Sequence, residues 1–196
     1  MTTLSEVNAM DDEAFVAAFG GIFENSPWVA RRAWNSRPFA SREALHRAMT
    51  QQVESAARAE QLALLRSHPD LGARARMSAA SINEQRGAGL DQLTPEEYVE
   101  LTAWNQAYRD KFGFPFVFAV KDASPSSETG GHPPATGAVV PIGFLESPIM
   151  EALRRRASEA DADAELAEAL AQVYRIAWFR LEAAVGSEDG PEEGSR

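Results

Sequence analysis

Along most of this chain the hydrophobic residues recur three and four positions apart, the period of a helix with one buried face, and clear stops separate the runs. Asp11 or Asp12 stands where it can cap a first helix running to about Phe19, with Phe15, Ala18 and Phe19 on one face, and Gly20-Gly21 ends it. Pro27, following Ser26, suits the first helical position of a second helix through Trp28, Ala30, Arg31 and Trp34. Arg37-Pro38 closes that helix, because a residue before proline is pushed out of the α region. From Ser41 the spacing of Leu45, Ala48, Met49, Val53 and Ala56, continued by Leu62 to Leu65, predicts one long helix ending near Ser67.

The second half reads the same way. Residues 78–86 form a short helical pattern ended by Gly87 and Gly89. Thr94-Pro95-Glu96-Glu97 is a start signal with a capping threonine, proline at the first position and a glutamate reaching back. Tyr98, Leu101, Asn105, Tyr108 and Phe112 then share one face, with Trp104 beside them. The dense apolar run from Phe114 to Val120 contains Pro115, which would cost a central strand a ladder bond, so a buried extended segment is expected. Residues 124–141 are rich in Ser, Gly, Pro and Thr and read as a loop. Ser147-Pro148 restarts a helix to about Ala157, and Asp161 or Asp163 starts the last one, to about Val185. The expectation is an all-α, single-domain bundle of about eight helices over residues 1–186. A long polar loop at 124–141 precedes the last two helices, and a disordered acidic tail occupies 187–196.

Composition narrows the partners. A net charge of -10 argues against nucleic acid or an anionic membrane surface as a bulk partner, and no apolar run is long enough for a membrane span. The chain has no cysteine, which removes disulfides and thiolate chemistry. The first twelve residues carry acidic and no basic groups, unlike a secretory leader, so the cytoplasm is the expected location.

Candidate chemistry begins with the last helix. Leu166, Leu170, Val173, Ala177, Leu181 and Ala184 define its apolar stripe, and Arg180 lies inside that stripe while Arg175 faces away. A guanidinium aimed at a core needs an anion or several acceptors. Two readings stand: a buried structural ion pair or snorkelling side chain, and an anion-binding arginine. Ser81, Glu84 and Gln85 stand at i, i+3 and i+4 on one helical face. They read either as a capping box or, if the cap is Ser78, as groups free to face a ligand. His68, extended before Pro69 at a helix mouth, is the natural acid/base candidate, although it could equally bond a carbonyl. His46 reads as a boundary residue, His132 as a loop residue, and so few histidines with no cysteine make a transition-metal site unexpected. No phosphate-loop, dinucleotide or nucleophile-elbow spacing is present.

Several motifs in order then carry a resemblance: Phe23-Glu-Asn-Ser-Pro-Trp-Val-Ala30 with Arg37-Pro38-Phe39, His68-Pro-Asp-Leu71, Ser81-x-x-Glu84-Gln85, Ala88-Gly-Leu-Asp91, Asn105-x-x-Tyr108 and Phe112-Gly-Phe-Pro-Phe116. Over most of residues 10–186 the chain resembles the family of 2-oxo-4-hydroxy-4-carboxy-5-ureidoimidazoline (OHCU) decarboxylases. The resemblance implies an all-α fold, no cofactor, no metal, a homodimer, and decarboxylation of a small ureidoimidazoline to (S)-allantoin in urate breakdown. It places the catalytic pair at His68 and Glu84. It places substrate contacts at Pro69, Ser81, Gln85, Arg180 and the Phe116, Val117 and Phe118 main chain. The 124–141 loop departs from the short connection the resemblance implies there, leaving substrate access and dimer geometry open. A non-catalytic helical binding domain and a decarboxylase of a related ureido-heterocycle are the rival readings, and a retained His68–Glu84 pair speaks against the first.

Overall fold

A helix leaves its first amides without partners, and in several places a side chain that meets them marks where this chain starts one. The structure, a computed structural model, describes residues 1–73, 81–83, 90, 92–123, 144–158 and 161–186. Among the described residues the backbone is helical or irregular, with one isolated parallel bridge from Thr2 to Val185 and no strand, as the all-α expectation requires. The expected polar loop at 124–141 and the tail at 187–196 lie outside the described residues. The chain forms two compact units, one of Met1–His68 with the residues from Val173 onward, the other of Pro69–Gln172.

The first unit opens on a short helix that hydrophobic spacing did not predict, α1 (Leu4–Ala9). The Thr3 hydroxyl accepts from the Glu6 amide while the Glu6 carboxylate accepts from the Thr3 amide. Asp11 caps α2 (Asp12–Phe19) through the Ala14 amide at 2.8 Å; Phe15 and Phe19 are buried and Ala18 is exposed. α3 (Pro27–Ala33) starts at its proline and passes into a single 3-10 turn, Trp34–Ser36.

The single long helix expected from Ser41 is instead two, α4 (Arg42–Glu54) and α5 (Arg58–Arg66). The Ser55 hydroxyl donates back to the Gln51 carbonyl (2.7 Å) and the Gln61 amide donates to the Val53 carbonyl (2.9 Å). The acceptors at the end of α4 are thereby met without another turn, and Glu60 restarts the chain by accepting from the Ala57 amide. The apolar spacing runs through this break, so periodicity could not reveal it.

In the second unit α6 (Pro95–Phe112) has the expected reciprocal cap of Thr94 and Glu97 and ends at Gly113, whose φ of 76° is the left-handed conformation glycine adopts without strain. It buries Leu101, Asn105 and Tyr108. The chain from Phe114 to Ala119 follows as a buried, irregular segment, and a 3-10 turn, Val120–Ala123, ends it. Among the described residues no main-chain hydrogen bond ties this segment to another backbone. Burial of Phe114 and Phe116, 2% and 0% exposed, contributes roughly 2–3 kcal/mol each and holds it in place. α7 (Pro148–Ser158) follows, and Asp161 caps α8 (Ala162–Ala184) by accepting from the Asp163 and Ala164 amides. The first half of α8 belongs to this unit and its second half to the other.

Candidate active site

His68 stands just past the end of α5, where Ser67 forms the C-cap. Its side chain is buried, and Nδ1 lies 3.0 Å from the Leu64 carbonyl oxygen. A carbonyl only accepts, so Nδ1 carries a proton, and in the neutral form of the ring Nε2 is the basic nitrogen. Of the two sequence readings of His68, the bond to a carbonyl is the one observed, and it leaves Nε2 as the nitrogen through which an acid/base role would run.

Arg180 is where the stripe on α8 places it, with its side chain 8% exposed. Its Nη2 lies 3.0 Å from Oε2 of Glu24, itself 2% exposed, and its Nη1 donates to the carbonyls of Gly21 (3.3 Å) and Ile22 (3.4 Å). A buried ion pair is thus present. The same turn receives the neighbour of His68: the Ser67 hydroxyl donates to the Glu24 carbonyl at 2.6 Å, and the Asn25 amide donates to the Ser67 carbonyl at 3.4 Å. The turn between α2 and α3 consequently fastens the mouth of α5 and the Arg180 guanidinium to one short piece of chain. Asn25 takes a φ of 44° to make that turn, a conformation asparagine tolerates better than most side chains.

The other predicted site residues belong to the second unit. Pro69 is half-buried and opens it. Ser81 is helical and only 5% exposed, a burial that favours an inward-facing hydroxyl over a solvent-exposed cap. Glu84 and Gln85 lie outside the described residues. Phe116 and Val117 are buried and Phe118 is half-buried, with the rings of Phe116 and Phe118 stacked 6.0 Å apart. His46, read from the sequence as a boundary residue, is one: its Nε2 meets the Tyr174 carbonyl at 2.8 Å and its ring stands edge-on to Trp178.

Sequence reasoning missed three features. Glu24 lies within the Phe23–Ala30 motif, but nothing in the spacing marked it as the partner of Arg180. Asn105 donates to the Leu71 carbonyl at 2.9 Å, and Arg109 pairs with Asp70 at 2.6 Å, so α6 grips the chain just after Pro69. Those residues border a cavity of about 260 Å³, which among the described residues is lined by neither Ser81 nor the Phe116–Phe118 segment. The third is a buried cluster of Arg156, Glu165 and Tyr108 in the second unit. Burial, reinforced by Glu165 and opposed by Arg156, pushes the Tyr108 phenol far above its ordinary range. A signal for Arg156 existed: it falls three positions after Leu153 on the stripe of Ile149, Met150 and Leu153, disguised by the run Arg154-Arg155-Arg156.

Among the described residues no group of three histidine, aspartate or glutamate side chains could hold a metal ion, and no helix is long and apolar enough to cross a membrane. The described residues form an all-helical fold that buries the His68 imidazole and the Arg180–Glu24 ion pair. The chain belongs to the OHCU decarboxylase family, whose model matches residues 8–130. It is 44% identical over 186 residues to the 2-oxo-4-hydroxy-4-carboxy-5-ureidoimidazoline decarboxylase of Haloferax volcanii, covering 95% of this chain and 98% of that one. It is 39% identical to the uric acid degradation bifunctional protein PucL of Bacillus subtilis, covering 92% of this chain and 32% of that longer protein. In structure it is similar to a crystal structure of (S)-allantoin synthase, with a TM-score of 0.67 and 25% identity, over 97% of this chain and 56% of that one.

Proposed function

We propose that this protein converts 2-oxo-4-hydroxy-4-carboxy-5-ureidoimidazoline to (S)-allantoin and CO2 in the degradation of uric acid. The observation that carries the reading is the His68 imidazole, buried with its tautomer set by Leu64, in a chain related nearly end to end to a decarboxylase of that name.

The substrate's own ring makes the chemistry feasible. Carbon 4 carries both the carboxylate and the hydroxyl, and carbon 5 is an imine carbon. When the bond to CO2 breaks, its electron pair forms a double bond between carbons 4 and 5, the carbon–nitrogen π pair moves onto the ring nitrogen, and that nitrogen takes up a proton. The hydroxyl proton then leaves as carbon 4 becomes a carbonyl, and carbon 5 receives a proton on one face. One proton is consumed overall. Because the ring is its own electron sink, the reading needs no cofactor.

His68 is assigned the hydroxyl proton, taken at Nε2 and returned to carbon 5, which fixes the (S) configuration; Glu84 is assigned as its partner. Arg180 is assigned the substrate's anionic oxygens, as a charge-assisted donor. Its pairing with Glu24 supports an arginine whose charge is balanced before substrate arrives and whose head is held in one orientation. Pro69, Ser81, Gln85 and the main chain of Phe116, Val117 and Phe118 are assigned the ring and ureido amides. A homodimer and a cytoplasmic location belong to the same proposal, and sedimentation equilibrium tests the first.

The experiment is to add the protein to freshly generated OHCU and follow the optical signal of its decay and the handedness of the allantoin formed. Faster decay with (S)-allantoin accumulating, unchanged after treatment with a chelator, is the expected result. Decay at the spontaneous rate, or racemic product, would sink the reading in favour of a binding domain.

A further inference from the structure

The second unit buries an arginine that no step above uses. Arg156, on α7, is 1% exposed. Its Nε and Nη2 donate to one oxygen of Glu165 at 2.9 and 2.5 Å, and Glu165 is equally sealed. Its Nη1 donates to the Val117 carbonyl at 2.9 Å, and its guanidinium lies over the Phe116 ring, 4.6 Å from the centroid. The Tyr108 hydroxyl donates to the same Glu165 oxygen, and the Tyr108 ring stands edge-on to Phe116 at 5.3 Å. Two residues along, the Ala119 amide donates to Oε1 of Gln172 at 2.9 Å. Nε2 of Gln172 donates to Glu168, also at 2.9 Å, which fixes which end of that amide meets the backbone.

A segment without a sheet ladder has nothing of its own to set the direction of its peptide groups. Here side chains set it. A guanidinium is a rigid plane, so once Glu165 holds one of its edges the remaining edge can point only one way, and the Val117 carbonyl is what it meets. The Ala119 amide is held by a neighbouring side chain in the same manner. Side chains thus hold the Val117 carbonyl and the Ala119 amide, on either side of Phe118.

We propose that Arg156, braced by Glu165 and Tyr108, is a positioning residue that, by holding the Val117 carbonyl, sets the main chain of Phe116 and Phe118 for the substrate. The proposal rests on the reading of that segment as ligand-facing. Burial alone does not require the cluster, because a sealed ion pair can often be replaced by apolar side chains of similar volume without loss of stability. That exchange supplies the test. The triple variant Arg156→Met/Glu165→Leu/Tyr108→Phe removes every charge of the cluster together. The single variant Arg156→Lys keeps the charge opposite Glu165 but lacks the planar fork that also reaches Val117.

The expected result is a folded triple variant whose KM for OHCU rises about tenfold while kcat stays within about twofold, the pattern of lost substrate binding. Arg156→Lys shifts KM in the same direction by a smaller factor. A folded triple variant with the KM of the unaltered protein overturns the proposal and leaves the decarboxylase reading standing. If the triple variant does not fold, Arg156→Lys decides, and an unchanged KM there overturns the proposal as well. An unaltered protein that fails to speed OHCU decay is a separate outcome: the functional reading falls first, and this proposal falls with it.

Discussion

The two units each bury an arginine against a glutamate, and the pairs are built differently. Arg180 and Glu24 are 8% and 2% exposed, and the arginine divides its donors between that carboxylate and two carbonyls of a turn. Arg156 and Glu165 are each 1% exposed, joined by two hydrogen bonds to one oxygen, with Tyr108 closing the cluster. Removing a charge from water costs several kcal/mol, and the cost falls steeply with any access to solvent. The more deeply sealed pair is therefore the costlier of the two to break. Burial of a charge does not by itself separate a structural arginine from one that meets a ligand.

The comparison can be broken in several places. The largest effect on rate is expected at His68, which shares the turn of Arg180: His68→Asn should lower kcat by about a hundredfold or more, a typical loss for an acid/base group. A kcat near that of the unaltered protein would take the imidazole out of the mechanism. In stability the order reverses. Glu165→Gln leaves Arg156 sealed without its counter-charge and should cost about 3–5 kcal/mol in urea unfolding, with Glu24→Gln costing less because Arg180 keeps its two carbonyls. Equal losses would mean that the two pairs are built alike after all. Arg180→Lys should raise KM by about tenfold, since one charge-assisted hydrogen bond is worth about 1.5–3 kcal/mol, with little change in the thermal midpoint. An unchanged KM would make Arg180 a structural residue only.

The smallest effect is in alkali. Burial, with a contribution from Glu54, pushes the Tyr174 phenol up to about 12 from its ordinary value of 10.0. A group whose pKa is raised by folding contributes stability that is fully present below its unfolded pKa and is lost as pH rises through the folded one. Stability should therefore decline between about pH 10 and 12 from Tyr174 in the first unit, and ultraviolet difference titration should find Tyr108 in the second unit un-ionised throughout that window. Early ionisation of Tyr108 would contradict the sealed cluster.

Most of the helices were legible because their signals are local. Thr94-Pro95-Glu96-Glu97 and Asp161 each name a cap within four residues that the structure uses, and Pro27 takes the first position of its helix although Ser26 makes no capping hydrogen bond. The break between α4 and α5 was not legible, since it depends on Gln61 reaching eight residues back to the Val53 carbonyl while the apolar stripe runs on. The candidate site divides in the same way. Arg180 stood out because a charge inside a long, clean apolar stripe violates a period that twenty-three residues of helix establish. Arg156 lies on a helix half that length among two other arginines, where three consecutive charges read as a solvated face. Glu24 was invisible for a further reason: its partner is 156 residues away in sequence, and no local pattern encodes such a pairing.

The bridge from Thr2 to Val185 has a wider consequence. The Thr2 amide donates to the Ala184 carbonyl, the Gly186 amide donates to Thr2, and Arg42 reaches the Val185 carbonyl from α4. The last turn of α8 is thus stitched to the opening residues, little more than one turn beyond the guanidinium of residue 180. Fraying that would ordinarily creep inward from a helix end meets a clasp there, so alterations to the first three residues should be felt along the turns of α8 that carry Arg180.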